Sequence, residues 1–412
     1  MINGADAQAV VQNISPISAL AIGALAFGLA SLALTRKAAK ISRIPIAAAL
    51  IGGGWVFFAV GLLIGPIGID LLKLDLLTEL RPLLQIGLAW IGLLVGLQAK
   101  RSIMAQIPGS LWKWIAVDCL ASVIVGVFIT GIVLLWIAPQ ASYGALCLPC
   151  VLIGCATIGW TAELRSLRGL DARSPLLATL TQAGAGLAVI LAITIHGIVS
   201  LYVTTIEGGI ITPNFGQGSI GLISTMFVAG VCAMTMRLLL QQESWNDGRI
   251  IVSLIGTLAL IAGVSTVLDG SPMFGACVLG VMIANMRSGA MRRLERVITG
   301  SETAIASILF LLAGAIVDPI AAWWPWIIAA IVLTFRVVFK VPLARVYSGN
   351  TWLERGSNNI HFATIRQAPI AIALAIASLL ELNNSAQRVM LLVLAIVGVL
   401  SNIIPLLWRR QS

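Results

Sequence analysis

The chain has 412 residues, of which 59% are hydrophobic and 10% are charged, and its mean hydropathy is +1.02. This apolar content exceeds what one soluble core can bury, so the composition excludes an ordinary water-soluble domain and indicates an integral membrane protein. The net charge of +10 does not indicate binding to nucleic acid, because the Lys and Arg residues are concentrated in alternate loops between apolar runs.

Long apolar runs recur from residue 16 to residue 408. At roughly 20 residues, each run is long enough to cross a hydrocarbon core about 30 Å thick. The runs are apolar on all sides, which predicts helices and not the alternating strands of a membrane barrel. We therefore predict an all-α integral membrane fold with about thirteen transmembrane helices. The predicted spans, one to thirteen, are 16–35, 44–64, 83–98, 111–137, 142–161, 176–203, 218–240, 249–268, 272–288, 302–319, 323–345, 360–380 and 386–408.

The basic residues predict how these spans are oriented. Lys and Arg cluster after the odd-numbered spans, and only Lys73, Arg81 and Arg388 fall in the other loops. Under the positive-inside rule, this pattern predicts a multi-pass protein of the cell (inner) membrane, with its N-terminus outside and its C-terminus in the cytoplasm.

Several functional classes lack support in the sequence. We find no P-loop, dinucleotide fingerprint or zinc-protease helix, which argues against an ATP-driven pump and against an enzyme. We expect no cofactor and no soluble regulatory domain. The expected partners are the lipid bilayer and a small inorganic ion.

Four glycine-rich motifs occur in spans two, three, nine and ten. They read GLLIGPIGI at 61–69, GLAWIGLLVGLQ at 87–98, MFGACVLGV at 273–281 and FLLAGAIVDP at 310–319. In this order and spacing they resemble the cation/proton antiporter superfamily, especially its Kef-like and bacterial sodium/proton exchanger branch. The resemblance extends from about residue 43 to residue 402.

The resemblance implies a homodimeric secondary transporter that exchanges Na⁺ or K⁺ for H⁺ and is built from two inverted repeats. It implies core helices at approximately 111–203 and 323–408, and dimerisation or panel helices at approximately 16–98 and 218–319. Each repeat of the family contributes one broken helix. We predict breaks near Pro149, with Gly154 after it, and near Pro369, because proline removes a backbone donor and clashes with the preceding turn.

The resemblance also implies an ion-binding Asp in span six, about nine residues after a loop similar to Gly-Arg-Ser. Ala172-Arg173-Ser174 matches this loop, and nine residues after Ser174 stands Ala183, directly after Gln182. A buried acid can hold a proton and a cation in turn, whereas alanine can hold neither. We therefore expect an altered ion-coupling site.

Two spans contain charged residues that are candidates for this altered site. Of the sixteen Asp and Glu residues, only Asp118 lies well inside a span, and helix rise places it roughly 10 Å from the cytoplasmic end of span four. Span eleven carries Arg336 near its middle and Lys340 one turn later. Lys340 can snorkel to the cytoplasmic interface. Two hypotheses for Arg336 stay open: it pairs with Asp118, or it is available to bind an anion.

Neutral groups complete the list of candidates. Thr157, Gln182 and Gln367 can supply oxygen ligands for an ion or can bond to neighbouring backbone. The cysteines of span five are a weak signal for a soft metal, because small polarisable residues also pack well between helices. These cysteines are Cys147, Cys150 and Cys155, and we expect no metal.

Two functional hypotheses result from the sequence. The first is a secondary transporter of the monovalent cation/proton antiporter type with a non-standard coupling site. The second is a non-transporting or anion-handling relative that acts as a sensor or as a subunit of a membrane complex.

Overall fold

The structure is a computed structural model. It describes residues 54–65, 80–137, 143–158, 175–205, 211–213, 215–240, 247–286, 291–317, 323–343, 346, 365, 367, 369–381 and 385–408. Predicted span one and residues 44–53 of span two therefore lie outside the described residues.

Thirteen α-helices lie in these described ranges. They are α1 (Trp55–Ile64), α2 (Arg81–Gly96), α3 (Arg101–Met104), α4 (Gly109–Ile137), α5 (Tyr143–Ile158), α6 (Pro175–Tyr202), α7 (Phe215–Leu240), α8 (Asp247–Val267), α9 (Pro272–Ala284), α10 (Met291–Ile316), α11 (Trp324–Phe335), α12 (Ile370–Glu381) and α13 (Ser385–Trp408). A π-helical turn, Arg336–Lys340, continues α11. Short strands β1 (Val203–Thr205) and β2 (Ile211–Pro213) pair antiparallel after α6. The prediction of an all-α membrane architecture is confirmed.

The lengths of the helices fit a membrane protein. Six helices in the described part of the chain are long and apolar enough to cross a bilayer: α4, α6, α7, α8, α11 with its π turn, and α13. Six shorter apolar helices accompany them: α1, α2, α5, α9, α10 and α12. Together these helices match predicted spans two to thirteen.

Two helices begin about ten residues away from the predicted start. Helix α10 begins at Met291 instead of 302, because Leu294 and Ile298 are fully buried and extend its apolar face by four-residue spacing. Helix α12 begins at Ile370 instead of 360, directly after Pro369. Proline disfavours helical backbone in the residue before it, so it is well suited to the start of a helix.

The break predicted near Pro149 is not at that proline. Helix α5 runs through Pro149 and Gly154 without interruption and ends at Ile158. Gly154 instead allows α4 to approach closely, since a Cβ on Gly126 of α4 would come within 2.5 Å of the Gly154 Cα atom. Tight packing of α4 on α5 stabilises the helix across the proline, where only one backbone hydrogen bond is lost.

The glycine motifs form the closest helix contacts. In the α1–α10 pair, a Cβ on Gly61 would collide with the backbone of Leu311, and a Cβ on Gly314 would collide with the backbone of Phe58. In each case the absent side chain lets the two backbones touch.

The α2–α9 pair uses the same arrangement. A Cβ on Gly92 would collide with the Met273 carbonyl, and a Cβ on Gly280 would lie 2.5 Å from the Leu93 carbonyl oxygen. The four motifs therefore form two reciprocal pairs of helices, in which spans two and ten pack together and spans three and nine pack together.

Candidate functional site

A cluster of buried charges joins α4, α5 and the π turn after α11. Asp118 of α4 is 5% exposed, Lys340 is 1% exposed and Arg336 is fully buried. The structure therefore brings together the three charged residues that the sequence singled out. Charged side chains inside a membrane protein are costly and by default mark a functional region.

Lys340 is the residue that pairs with Asp118. Its Nζ atom lies 3.1 Å from the Asp118 Oδ2 atom. The same ammonium donates to the backbone carbonyl of Thr157 and, at 3.3 Å, to that of Ile158. The expectation that Lys340 snorkels to the interface is wrong, because the carboxylate and two carbonyls hold its charged end inside the protein.

Arg336, one helical turn before Lys340, donates to two backbone carbonyls. Its Nε atom donates to the Ile365 carbonyl at 2.9 Å, and its Nη1 atom donates to the Thr157 carbonyl at 2.8 Å. The hypothesis that Arg336 is the ion-pair partner of Asp118 is therefore corrected, since Lys340 makes that bond. The carbonyl contacts also argue against an Arg336 that stands ready for an anion.

The end of α5 explains why two cations converge here. Thr157 and Ile158 are the last two residues of the helix, and the last four carbonyls of an α-helix have no partner within it. These carbonyls carry partial negative charge, which favours Lys and Arg nearby, and inside a membrane they must be satisfied by protein. Asp118 then offsets one of the two positive charges.

The backbone is irregular where the two cations are carried. Residues Arg336–Lys340 form a π turn. Such turns are rare in proteins, and those that occur are often found at functional sites. On the same segment the rings of Phe335 and Phe339 stack with centroids 5.0 Å apart and an interplanar angle of 14°. The turn thus has a polar side directed at α5 and an aromatic pair beside it.

The substituted position of span six lies beside this cluster. Ala183 is partly buried and packs against the apolar core. A Cβ on the next residue, Gly184, would lie 3.5–3.7 Å from the side chains of Leu111 and Ile115 of α4, and Ile115 precedes Asp118 by one turn. The carboxylate of the site is therefore on α4, across the contact from the position where the family resemblance implies it on α6. Gln182 lies in α6 directly before Ala183.

The neutral candidates differ in what they contribute. The Thr157 hydroxyl donates to the Ile153 carbonyl at 2.6 Å, so Thr157 reaches the charged cluster through its backbone carbonyl. Gln367 is 4% exposed, and its side-chain amide has no hydrogen-bond partner among the described residues. Its backbone N–H donates to Ser401 Oγ at 3.1 Å.

The sequence did not identify every group at this site. The carbonyls of Ile158 and Ile365 were missed, because any residue type can supply a backbone carbonyl; the only available signal was the end of a helix inside an apolar run. Ser122 follows Asp118 by one turn, is fully buried, and its hydroxyl has no partner among the residues described.

The cysteine candidates are not assembled into a metal site. Cys147 is exposed whereas Cys150 and Cys155 are buried. Within the described ranges, no three His, Cys, Asp or Glu side chains come close enough together to hold a metal ion.

The comparisons with known proteins agree with this architecture. Residues 27–410 match the family model described as "Sodium/hydrogen exchanger, transmembrane". Among solved structures, the chain is similar to that of the sodium proton antiporter MjNhaP1 from Methanocaldococcus jannaschii at pH 8. The TM-score is 0.64 and the identity 16%, over 95% of this chain and 97% of that chain, a likeness that shows the fold. No curated protein matches the chain in sequence.

Proposed function

Because the chain belongs to the sodium/hydrogen exchanger family and is a membrane transporter of the monovalent cation/proton antiporter type, we propose that Asp118 and Lys340 replace the usual aspartate of the sixth span. The resemblance found in the four glycine motifs is thereby confirmed at the level of the family. The proposal concerns which residues bind the cation and which carry the proton.

One observation carries this proposal: the Lys340 ammonium occupies the ligands that a monovalent cation needs. Its partners are the Asp118 carboxylate and the carbonyls of Thr157 and Ile158. Carbonyls at the C-terminal end of a helix inside the membrane are typical Na⁺ ligands in secondary transporters. The unpaired hydroxyl of Ser122 and the amide of Gln367 are further neutral groups that can take part.

Competition between a metal cation and the Lys340 ammonium for these oxygens couples cation binding to proton release. Two cations about 4 Å apart repel by about 4 kcal/mol at an effective dielectric constant near 20, which disfavours joint occupancy by about three orders of magnitude. When Na⁺ or K⁺ binds Asp118, the Lys340 ammonium therefore releases a proton to water and becomes a neutral amine. When the cation leaves, Lys340 binds a proton again and the ion pair re-forms.

Arg336 has a positioning role in this scheme. Its two bonds to Thr157 and Ile365 hold the end of α5 against the segment that leads to α12. It keeps the Thr157 carbonyl in place while Lys340 changes its charge. Because its guanidinium is engaged with carbonyls, we do not favour the anion-handling alternative.

Flux measurements in proteoliposomes test the proposal. A pH dye inside the vesicles reports H⁺ movement under imposed Na⁺, K⁺, Li⁺ or chloride gradients. We expect cation-driven proton flux in the native protein, a loss of at least about tenfold in Asp118→Asn, and uncoupling of H⁺ from cation movement in Lys340→Gln. Lys113→Gln is the matched control, since Lys113 is an exposed lysine on α4 and its loss should leave flux unchanged.

Two outcomes would contradict the proposal. Absence of flux of any ion in the folded native protein would exclude transport under these conditions and favour the non-transporting alternative. Native rates in Asp118→Asn would exclude that carboxylate as the ion ligand.

We further propose the assembly and orientation that the family resemblance implies. In this arrangement the helices at 111–203 and 323–408 form the core domain, and those at 16–98 and 218–319 form the panel through which two copies associate. The protein lies in the inner membrane with its N-terminus outside and its C-terminus in the cytoplasm, as the distribution of basic residues supports.

A further inference from the structure

A second buried carboxylate lies far from Asp118, at the opposite end of α12. Glu381 is the last residue of that helix, roughly 17 Å of helix rise after Ile370. Both carboxylate oxygens are buried, and neither has a hydrogen-bond partner among the described residues. The groups that they face are the hydroxyls of Ser200 on α6 and Ser271 before α9.

The Ser200 hydroxyl donates to the Gly197 carbonyl at 3.0 Å. While it makes that bond, it has only lone pairs to offer Glu381. An ionised carboxylate also only accepts. In this arrangement, a proton on the carboxyl group or a cation between the two side chains would satisfy both.

The Ser271 hydroxyl is also turned towards Glu381. Ser271 precedes the first residue of α9, where serine usually caps the helix with its side chain. Here it makes no such bond, although it is only 3% exposed. Three oxygen-bearing side chains from three separate segments therefore converge in a buried place.

No described basic group neutralises Glu381. Arg81 of α2, the described basic residue beside the end of α12, donates instead to the Leu380 carbonyl at 2.8 Å. Among the described side chains, α5 carries Cys147 in its first half, and α10 carries no titratable group. Since an isolated buried carboxylate is strongly unfavourable, Glu381 needs a proton or a metal cation.

His196 is a second buried polar residue on the helix that carries Ser200. It precedes Ser200 by one turn of α6 and so shares its face. It is fully buried, and neither ring nitrogen has a partner within the described part of the chain. A neutral imidazole can accept a proton on one nitrogen and donate one from the other.

We propose that Glu381, Ser200 and Ser271 form a second site for a monovalent cation, H⁺ or Na⁺, with His196 as the next proton acceptor. Binding at this site is independent of the chemistry at Asp118. Its role as the external entry and exit point for the transported ions rests on the proposed function.

Infrared difference spectroscopy of the purified protein tests binding directly. We expect a carboxylic-acid C=O band that is absent in Glu381→Gln and retained in Asp269→Asn, the matched control with an exposed carboxylate two residues from Ser271. Loss of the band only on raising the pH identifies a proton site. Loss on adding Na⁺ at constant pH, with release of a proton, identifies a site where Na⁺ competes.

Two further results decide the binding proposal. Identical spectra for the native protein and Glu381→Gln, under every pH and Na⁺ condition, would overturn it. If Glu381→Gln does not fold, Ser271→Ala replaces it, and we expect its titration midpoint to shift at least severalfold in proton or Na⁺ concentration. An unchanged midpoint would also overturn the proposal.

Transport measurements separate this site from the one at Asp118. In oriented proteoliposomes, Glu381→Gln should raise the half-saturating external Na⁺ concentration by about tenfold and leave the internal value unchanged. A native protein without flux contradicts the proposed function but leaves the infrared result standing. Native external half-saturation in Glu381→Gln, with active native protein, overturns the entry role.

Discussion

At the scale of single residues, a buried acid and a buried lysine form a pair on helices other than the one where the family resemblance implies an acid. Position 183 carries alanine, and the neighbouring α4 carries Asp118 with Lys340 as its partner. A lysine and an arginine four residues apart serve different purposes here. The flexible ammonium of Lys340 can exchange its proton, whereas the planar guanidinium of Arg336 stays charged and holds two carbonyls.

The pair should show strong coupling in unfolding experiments. Removing one partner leaves the other as an uncompensated buried charge, so we expect Asp118→Leu and Lys340→Met each to lower stability by about 3–5 kcal/mol. The double variant should recover at least about 2 kcal/mol of the summed loss, because neither charge remains buried alone. Denaturant unfolding in detergent measures this cycle, and simple additivity of the single changes would contradict a direct interaction.

At the scale of helices, glycine decides which elements touch. Gly92 and Gly280 bring α2 and α9 into backbone contact, and Gly61 and Gly314 do the same for α1 and α10. Within a membrane, where lipid is as apolar as the helix surface, such close packing is a main source of helix association. The motifs that carry the family resemblance therefore have a packing role in this fold.

Alanine substitution should separate packing from helix propensity. Gly92→Ala places a methyl group against the Met273 carbonyl, and we expect a loss of about 1–3 kcal/mol from overpacking. Gly256→Ala is the matched control: a Cβ at Gly256 of α8 meets nothing within 4 Å, so it should be neutral or gain up to about 1 kcal/mol from propensity. Thermal unfolding in detergent compares them, and equal effects of the two changes would argue against the backbone contact.

At the scale of the whole molecule, the two carboxylate sites lie at different depths. Asp118 is near the start of α4. Glu381 is the last residue of α12, and the first residue of α12 follows the segment whose Ile365 carbonyl binds Arg336. A transporter must bind its ions from both sides of the membrane, and two separated acidic sites match that requirement.

The proposed orientation makes a separate prediction. With the C-terminus in the cytoplasm, green fluorescent protein fused after residue 412 should be fluorescent, and alkaline phosphatase fused there should be inactive. Alkaline phosphatase fused after residue 209, between α6 and α7, should be active because that connection faces outside. The reverse pattern of activities would invert the assignment of the two sites to the two sides.

The sequence alone determined the class of protein, the positions of most spans and the short list of charged candidates, because these depend on local hydropathy and on the cost of burying charge. Through the family resemblance, it also predicts that Ala183 stands where the usual acid is expected. Only the tertiary structure decided that Lys340 and not Arg336 pairs with Asp118, that α5 passes through Pro149 and ends at Ile158, and that Glu381 meets Ser200 and Ser271. Those outcomes depend on how helices far apart in the chain are rotated against each other, since Asp118 and Lys340 are 222 positions apart in the sequence. Residue types do not indicate that rotation. Every residue has a backbone carbonyl, so the sequence does not show which carbonyls bind the charged side chains.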